Sequence, residues 1–196
     1  MSQQKDPAQQ SLGPDAGTLD PTDGRVKLQW ASGYSEDARS EIRFEAWYVL
    51  IMLAFAISLI FATWMDFFTH FFSLTGNSAV TLKKYCYYSF SGLFGGTVFG
   101  MKYLYRVVAR GYWHQDRRLW RLQSPFIAFG VSFAFATLIE GRFMPVGSHT
   151  GGAAIVGLGF LIGYFADDAT GKLHEIASIL FGKSSAPIKS PPTDSR

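Results

Sequence analysis

The chain has 196 residues, 48% of them hydrophobic, with a formal charge of +3 and a single cysteine. That lone Cys86 excludes an intrachain disulfide and any Cys-based zinc or iron–sulfur site, and is read as a small apolar residue at a helix start. The basic excess does not point to nucleic acid, because the cationic residues gather beside apolar stretches, which makes a lipid bilayer the expected partner.

Residues 1–34 are rich in Gln, Asp, Pro, Gly, Ser and Thr and hold few large apolar side chains. Such a segment buries too little surface to offset its ordering entropy and is expected to be a disordered polar tail. It has no basic stretch followed by an apolar one, so no cleavable signal peptide is expected, and the first span would direct insertion. Ser35 is placed to cap a helix whose first turn carries Glu36 and Asp37, matching the helix dipole. That helix is expected to run unbroken into the first of four apolar stretches, at 46–64, 85–105, 119–139 and 147–165. Each is close to the ~20 helical residues that cross a ~30 Å hydrocarbon core.

Trp47, Tyr48 and Trp64 bracket the first stretch as interfacial anchors. Beyond it, Asp66 and His70 punctuate an aromatic-rich segment, read as an external interfacial helix or as the extended end of the first span. A turn over 75–78 leads to the second stretch, where Gly92, Gly96 and Gly100 recur every fourth residue. Glycine costs ~1 kcal/mol relative to alanine in a helix, so three in register mark a face for close packing. Ala128, Ser132 and Ala136 in the third stretch, and Gly159 with Gly163 in the fourth, offer similar small surfaces. These ridges are read as packing within the bundle, or alternatively as an oligomer interface. Pro125 is read as lying in the first turn of the third span, where it costs little. Pro145 and nearby glycines mark a loop. Asp167 and Asp168 are placed to cap a final amphipathic helix through about Phe181, ended by Gly182, lying on the cytoplasmic interface or against the bundle. Residues 183–196 are read as a second disordered tail, leaving 35–182 as one membrane domain.

From Lys102 to Arg121 there are six basic residues against the single Asp116. The positive-inside rule puts this loop, and with four spans both termini, in the cytoplasm. Lys83, Lys84 and Arg142 lie on the opposing, external side.

The run from Asp116 through Arg117, Arg118 and Trp120 to Pro125, with Gly163-Tyr164-Phe165, Lys172-Leu173 and Leu180-Phe181 further on, resembles a membrane hairpin of uncharacterised bacterial inner-membrane proteins. The resemblance covers roughly 116–182 and departs from that pattern at Gln123 and Ala166. It implies placement in a bacterial inner membrane and carries no activity.

Gly92, Gly95 and Gly96 lack the strand before them and the Lys-Ser/Thr after them that a phosphate loop needs. The histidines at 70, 114, 149 and 174 show no metal-ligand spacing, so no metal or other cofactor is expected. Ionisable groups near membrane depth are costly unless paired or hydrated; if a polar path exists, Asp66, His70, Lys102 and Glu140 are its candidates. Lys102 is read as snorkelling to the cytoplasmic interface, and Glu140 with Arg142 as a local ion pair or interfacial anchor. The expected fold is all-α, a polytopic membrane protein of four transmembrane helices plus a C-terminal amphipathic interfacial helix. The expected function is a non-enzymatic membrane component that self-associates as a homo-oligomer or docks onto another membrane protein. The alternative is a small oligomeric channel or membrane-permeabilising effector.

Overall fold

The computed structural model describes residues 32–143 and 151–180. The expected tails, the loop around Pro145, His149, and the helix end at Phe181–Gly182 lie wholly or largely outside these residues. The described residues form six α-helices in order: α1 (Glu36–Trp64), α2 (Phe67–Phe71), α3 (Gly76–Ala109), α4 (Arg118–Glu140), α5 (Gly152–Tyr164) and α6 (Ala166–Leu180), with a 3-10 turn at Gln115–Arg117 before α4. The described residues contain no strand.

Local sequence sets several boundaries. Ser35 Oγ accepts a hydrogen bond from the Ala38 N–H, so the expected cap forms, and α1 runs through its polar lead-in without a break. Asp66 adopts the left-handed conformation at φ 60°, which a short polar side chain tolerates better than most. The reversal there separates α2 from α1 rather than extending it. Two other local expectations change. Pro125 sits in the second turn of α4, where it cannot donate to the Arg121 carbonyl. Its ring is fully buried and lies near Gly96 of α3. Helix α6 begins at Ala166, so Asp167 and Asp168 occupy its first turn rather than its cap; the dipole still favours them there.

Helix α3 is the hub, packing against α5, α4 and α1. Gly159 and Gly163 lie beside Ser91 and Gly92 in the same order, so α5 runs parallel to α3. Ion pairs from Glu41 to Arg118 and from Glu45 to Arg121 set α1 parallel to α4. The chain therefore runs up through α1, down through α3, up through α4 and down through α5. Tyr87, Tyr88, Phe135, Ile139, Ile155 and Ile162 form the largest buried cluster. Ala169 and Leu173 of α6 pack on it, so α6 rests against the bundle.

Among the described residues, two helical segments are long and apolar enough to cross a membrane, Glu36–Trp64 and Gln115–Glu140, and the bent α5–α6 pair makes a third if counted as one span. Four were expected, and α5 and α3 account for the difference. At 13 residues α5 is too short alone, and the chain bends by 93° where α6 begins. Helix α3 has length to spare at 34 residues; what it lacks is apolarity. It carries Lys83, Lys84, Lys102, several tyrosines and a run of Ser, Thr and Gly. A helix enclosed by other helices meets protein rather than lipid, and close approach favours small residues there. By contrast, Trp47, Ile51, Phe55, Phe61 and Trp64 leave α1 with a broad exposed apolar face.

Candidate functional site

The most developed polar constellation lies at the end of the bundle where α1 and α4 begin. Glu45 and Arg121 are 1% and 7% exposed, although each lies beside a polar, charged stretch of sequence. Arg121 reaches across with a forked guanidinium: Nε donates to Glu45 Oε2 at 2.8 Å and Nη2 to Oε1 at 2.7 Å. Trp113 Nε1 donates to the same carboxylate at 3.3 Å, and Arg121 Nη2 also donates to the His114 carbonyl at 3.2 Å. The guanidinium further stands over the Trp113 ring, with its carbon 5.6 Å from the centroid. Both carboxylate oxygens are thus satisfied, as a buried charge requires.

Neighbouring contacts extend this clamp. Glu41 pairs with Arg118, whose guanidinium stacks over Phe44 at 4.8 Å. Tyr48 donates its hydroxyl to the Leu122 carbonyl at 2.8 Å. Tyr34 bridges to the end of α3, donating to the Val107 and Val108 carbonyls and accepting from the Trp113 N–H at 3.3 Å. The arrangement fastens α1, the α3–α4 connection and α4 together. Chemically the Glu45–Arg121 pair at its centre is closed, with acid and base directed at each other.

The opposite end has its own pairs. Lys84 Nζ donates to Glu140 Oε2 at 2.9 Å, joining α3 to α4, so of the two readings of Glu140 and Arg142, a local ion pair or an interfacial anchor, the structure pairs Glu140 with Lys84 instead. Lys83 Nζ donates to Asp66 Oδ1 at 2.9 Å, joining the α1–α2 corner to α3. This hydrogen bond holds the Asp66 carboxyl below the usual aspartate range; partial desolvation opposes it, while the Lys83 charge, the Thr69 hydroxyl and His70 assist it. A carboxyl whose folded-state value is lowered stabilises the fold above its unfolded value, and loses that contribution as pH falls through the folded one. The advantage of wild type over Lys83→Met in thermal unfolding is therefore expected to be full at pH 7 and to shrink as pH drops below the aspartate range. An unchanged difference down to pH 3 would show that Asp66 is not the titrating partner.

The four residues considered for a polar path are distributed rather than joined. Asp66 and His70 adjoin, with the exposed His70 ring Nδ1 2.8 Å from the Asp66 carbonyl. Glu140 is engaged by Lys84 at the same end. Lys102 stands 18 positions beyond Lys84 on α3, about 27 Å along the axis. There it is exposed and donates to the Tyr164 hydroxyl at 3.1 Å.

The small-residue positions face one another inside the bundle. A Cβ at Gly92 would overlap Ser132 Oγ, and one at Gly96 would overlap the Ala128 Cβ. A Cβ at Gly159 would strike Ser91 Oγ, and one at Gly163 the Gly92 backbone. Ser132 Oγ donates to the Gly159 carbonyl at 3.3 Å, where three helices meet. Gly100 has open space instead. Among the described residues, no group of three or more His, Cys, Asp or Glu is placed to hold a metal ion.

Sequence reasoning treated Arg118 and Arg121 as topology determinants and left Glu41, Glu45 and Trp113 without a role. One signal was available. Glu41 and Glu45 are four apart at the start of α1, and Arg118 and Arg121 three apart at the start of α4, so each pair shares one helix face. No protein family, curated protein or solved structure matches this chain.

Proposed function

We propose that this chain is a non-enzymatic component of a bacterial inner membrane that crosses the bilayer four times, with both termini in the cytoplasm, and docks onto a membrane partner. One observation carries the reading: α3, the least apolar long helix, is enclosed by α1, α4 and α5, while apolar side chains face outward from α1 and α4. That layout suits a bundle inserted as a unit, with lipid meeting only its outer helices. Arg39, Arg43, Arg106, Arg110 and Arg117 cluster with the Glu45–Arg121 clamp at one end, which supports assigning that end to the cytoplasm. The glycines that suggested self-association are mostly spent inside the bundle, which favours docking by the outer faces over a glycine-mediated homo-oligomer. The polar groups considered for a path pair up at opposite ends of α3, which gives the channel reading little support.

The test is the mass of the protein extracted in native nanodiscs, with everything that co-elutes, followed by reconstitution. A stoichiometric foreign membrane protein and silent bilayers are expected. A homogeneous homo-oligomer that conducts ions would overturn the reading in favour of a pore.

A further inference from the structure

A groove of about 500 Å³ runs along the outside of the bundle between α1 and the last third of α3. Ile42, Ala46 and Val49 line it from one helix, and Met101, Leu104 and Val108 from the other. It extends over Ile42 to Leu50, eight positions or about 12 Å of helix. At its cytoplasmic end it meets a second depression of about 470 Å³ that shares Ile42 and Val108. The lining changes character there, to Arg39, Arg43, Glu36 and Tyr34. Tyr34 is held in place by its hydroxyl bonds to the end of α3, so this mouth is a formed part of the bundle.

We infer that this composite groove binds one anionic phospholipid, with an acyl chain against the apolar wall and the phosphate between Arg39 and Arg43. The inference rests on the membrane placement proposed above. The order of chemistry along the groove carries it. An apolar trough that ends after about 12 Å in two guanidinium groups follows the layout of an anionic amphiphile. A partner transmembrane helix would instead need an apolar contact approaching ~30 Å. Glu36 is the acid at this mouth, pairing with Arg39 at 3.7 Å, both side chains being well exposed. Such a surface pair is weak, so Arg39 is free to turn to a phosphate, and the two arginines outnumber the one carboxylate.

The full-length protein, purified in mild detergent and stripped of lipid, is titrated with phosphatidylglycerol and with phosphatidylcholine of identical chains, and bound copies are counted by native mass spectrometry. One phosphatidylglycerol is expected to be retained with roughly thirtyfold preference over phosphatidylcholine, as two basic residues at an anionic headgroup would give. The double variant Arg39→Gln/Arg43→Gln, altered only at surface side chains, is expected to lose that preference. Ala46→Phe, which fills the trough, is expected to lose both lipids. Equal binding of the two lipids by wild type, or a preference surviving in the double variant, would overturn the site. Alkaline extraction of native membranes separates this from the underlying placement. A protein that leaves the membrane at high pH overturns the placement, whereas one that stays and shows no preference overturns the lipid site alone.

Discussion

Replacing Arg121 with alanine is expected to cost about 3–5 kcal/mol of stability, the largest single effect in the molecule. The variant strands Glu45, 1% exposed, with only the Trp113 N–H as a remaining side-chain donor. Glu45→Ala is expected to do comparable damage by leaving the guanidinium with the His114 carbonyl alone. The pair itself is a different matter. Desolvating two charges offsets most of their attraction, so Glu45→Met with Arg121→Met together is expected to recover most of the loss. Thermal unfolding in detergent of the two single variants and the double variant reads this out, with shifts on the order of 10 °C for the singles. A double variant as unstable as the sum of the singles would mean that the two residues act independently, against the geometry of the fork.

The second expectation concerns glycines that look alike in sequence and differ in surroundings. Gly163→Ala is expected to destabilise by roughly 3 kcal/mol, because its Cβ would lie on the Gly92 backbone, and a carbonyl group of another helix cannot turn aside as a side chain can. Helix α5 would have to move away from α3 and forfeit the Ser132 hydrogen bond to Gly159. Gly100→Ala carries the opposite sign. Nothing lies within 4 Å of its Cβ position, and alanine is the better helix former by ~1 kcal/mol, so a gain of about 0.5–1 kcal/mol is expected. Measuring both by unfolding in one detergent decides the matter. Two losses of equal size would mean that Gly100 is also packed, as at an interface with another molecule.

Much of the architecture could be read from residue order, and the parts that could not share one cause. The α1 helix was legible from its cap through its apolar run, because the cap, the first-turn acids and that run are all local features, whereas its end was left open until the reversal at Asp66 placed it. The fourfold spacing of Gly92, Gly96, Gly159 and Gly163 was equally plain, yet spacing alone does not say which helix a ridge faces. Only the assembled bundle pairs Gly92 and Gly96 with Ser132 and Ala128 of α4, and sets Gly163 on α3. The Glu45–Arg121 clamp was missed because its members are 76 positions apart. Each had an adequate local explanation, an acid in a polar lead-in and a base in a loop expected to face the cytoplasm. The spans were legible only in part for a related reason, since two helices, or three with the bent pair, are long and apolar enough to cross by themselves. Stretch length was weighed without asking whether a helix would meet lipid or other helices, and α3 differs from α1 in that respect.

The enclosure of α3 bears on how such a chain would be made. For the four-span arrangement proposed above, α1 leaves the ribosome first and is apolar enough to partition into lipid unaided, whereas the segment after it is not. Lys83 and Lys84 gain their carboxylate partners from opposite sides, Asp66 already synthesised and Glu140 still to come. Helix α3 would thus wait at the translocon or against α1 until α4 emerged to cover its glycine face. Biogenesis of this bundle would be a concerted event in which the last helices retain the central one, rather than a succession of independent insertions.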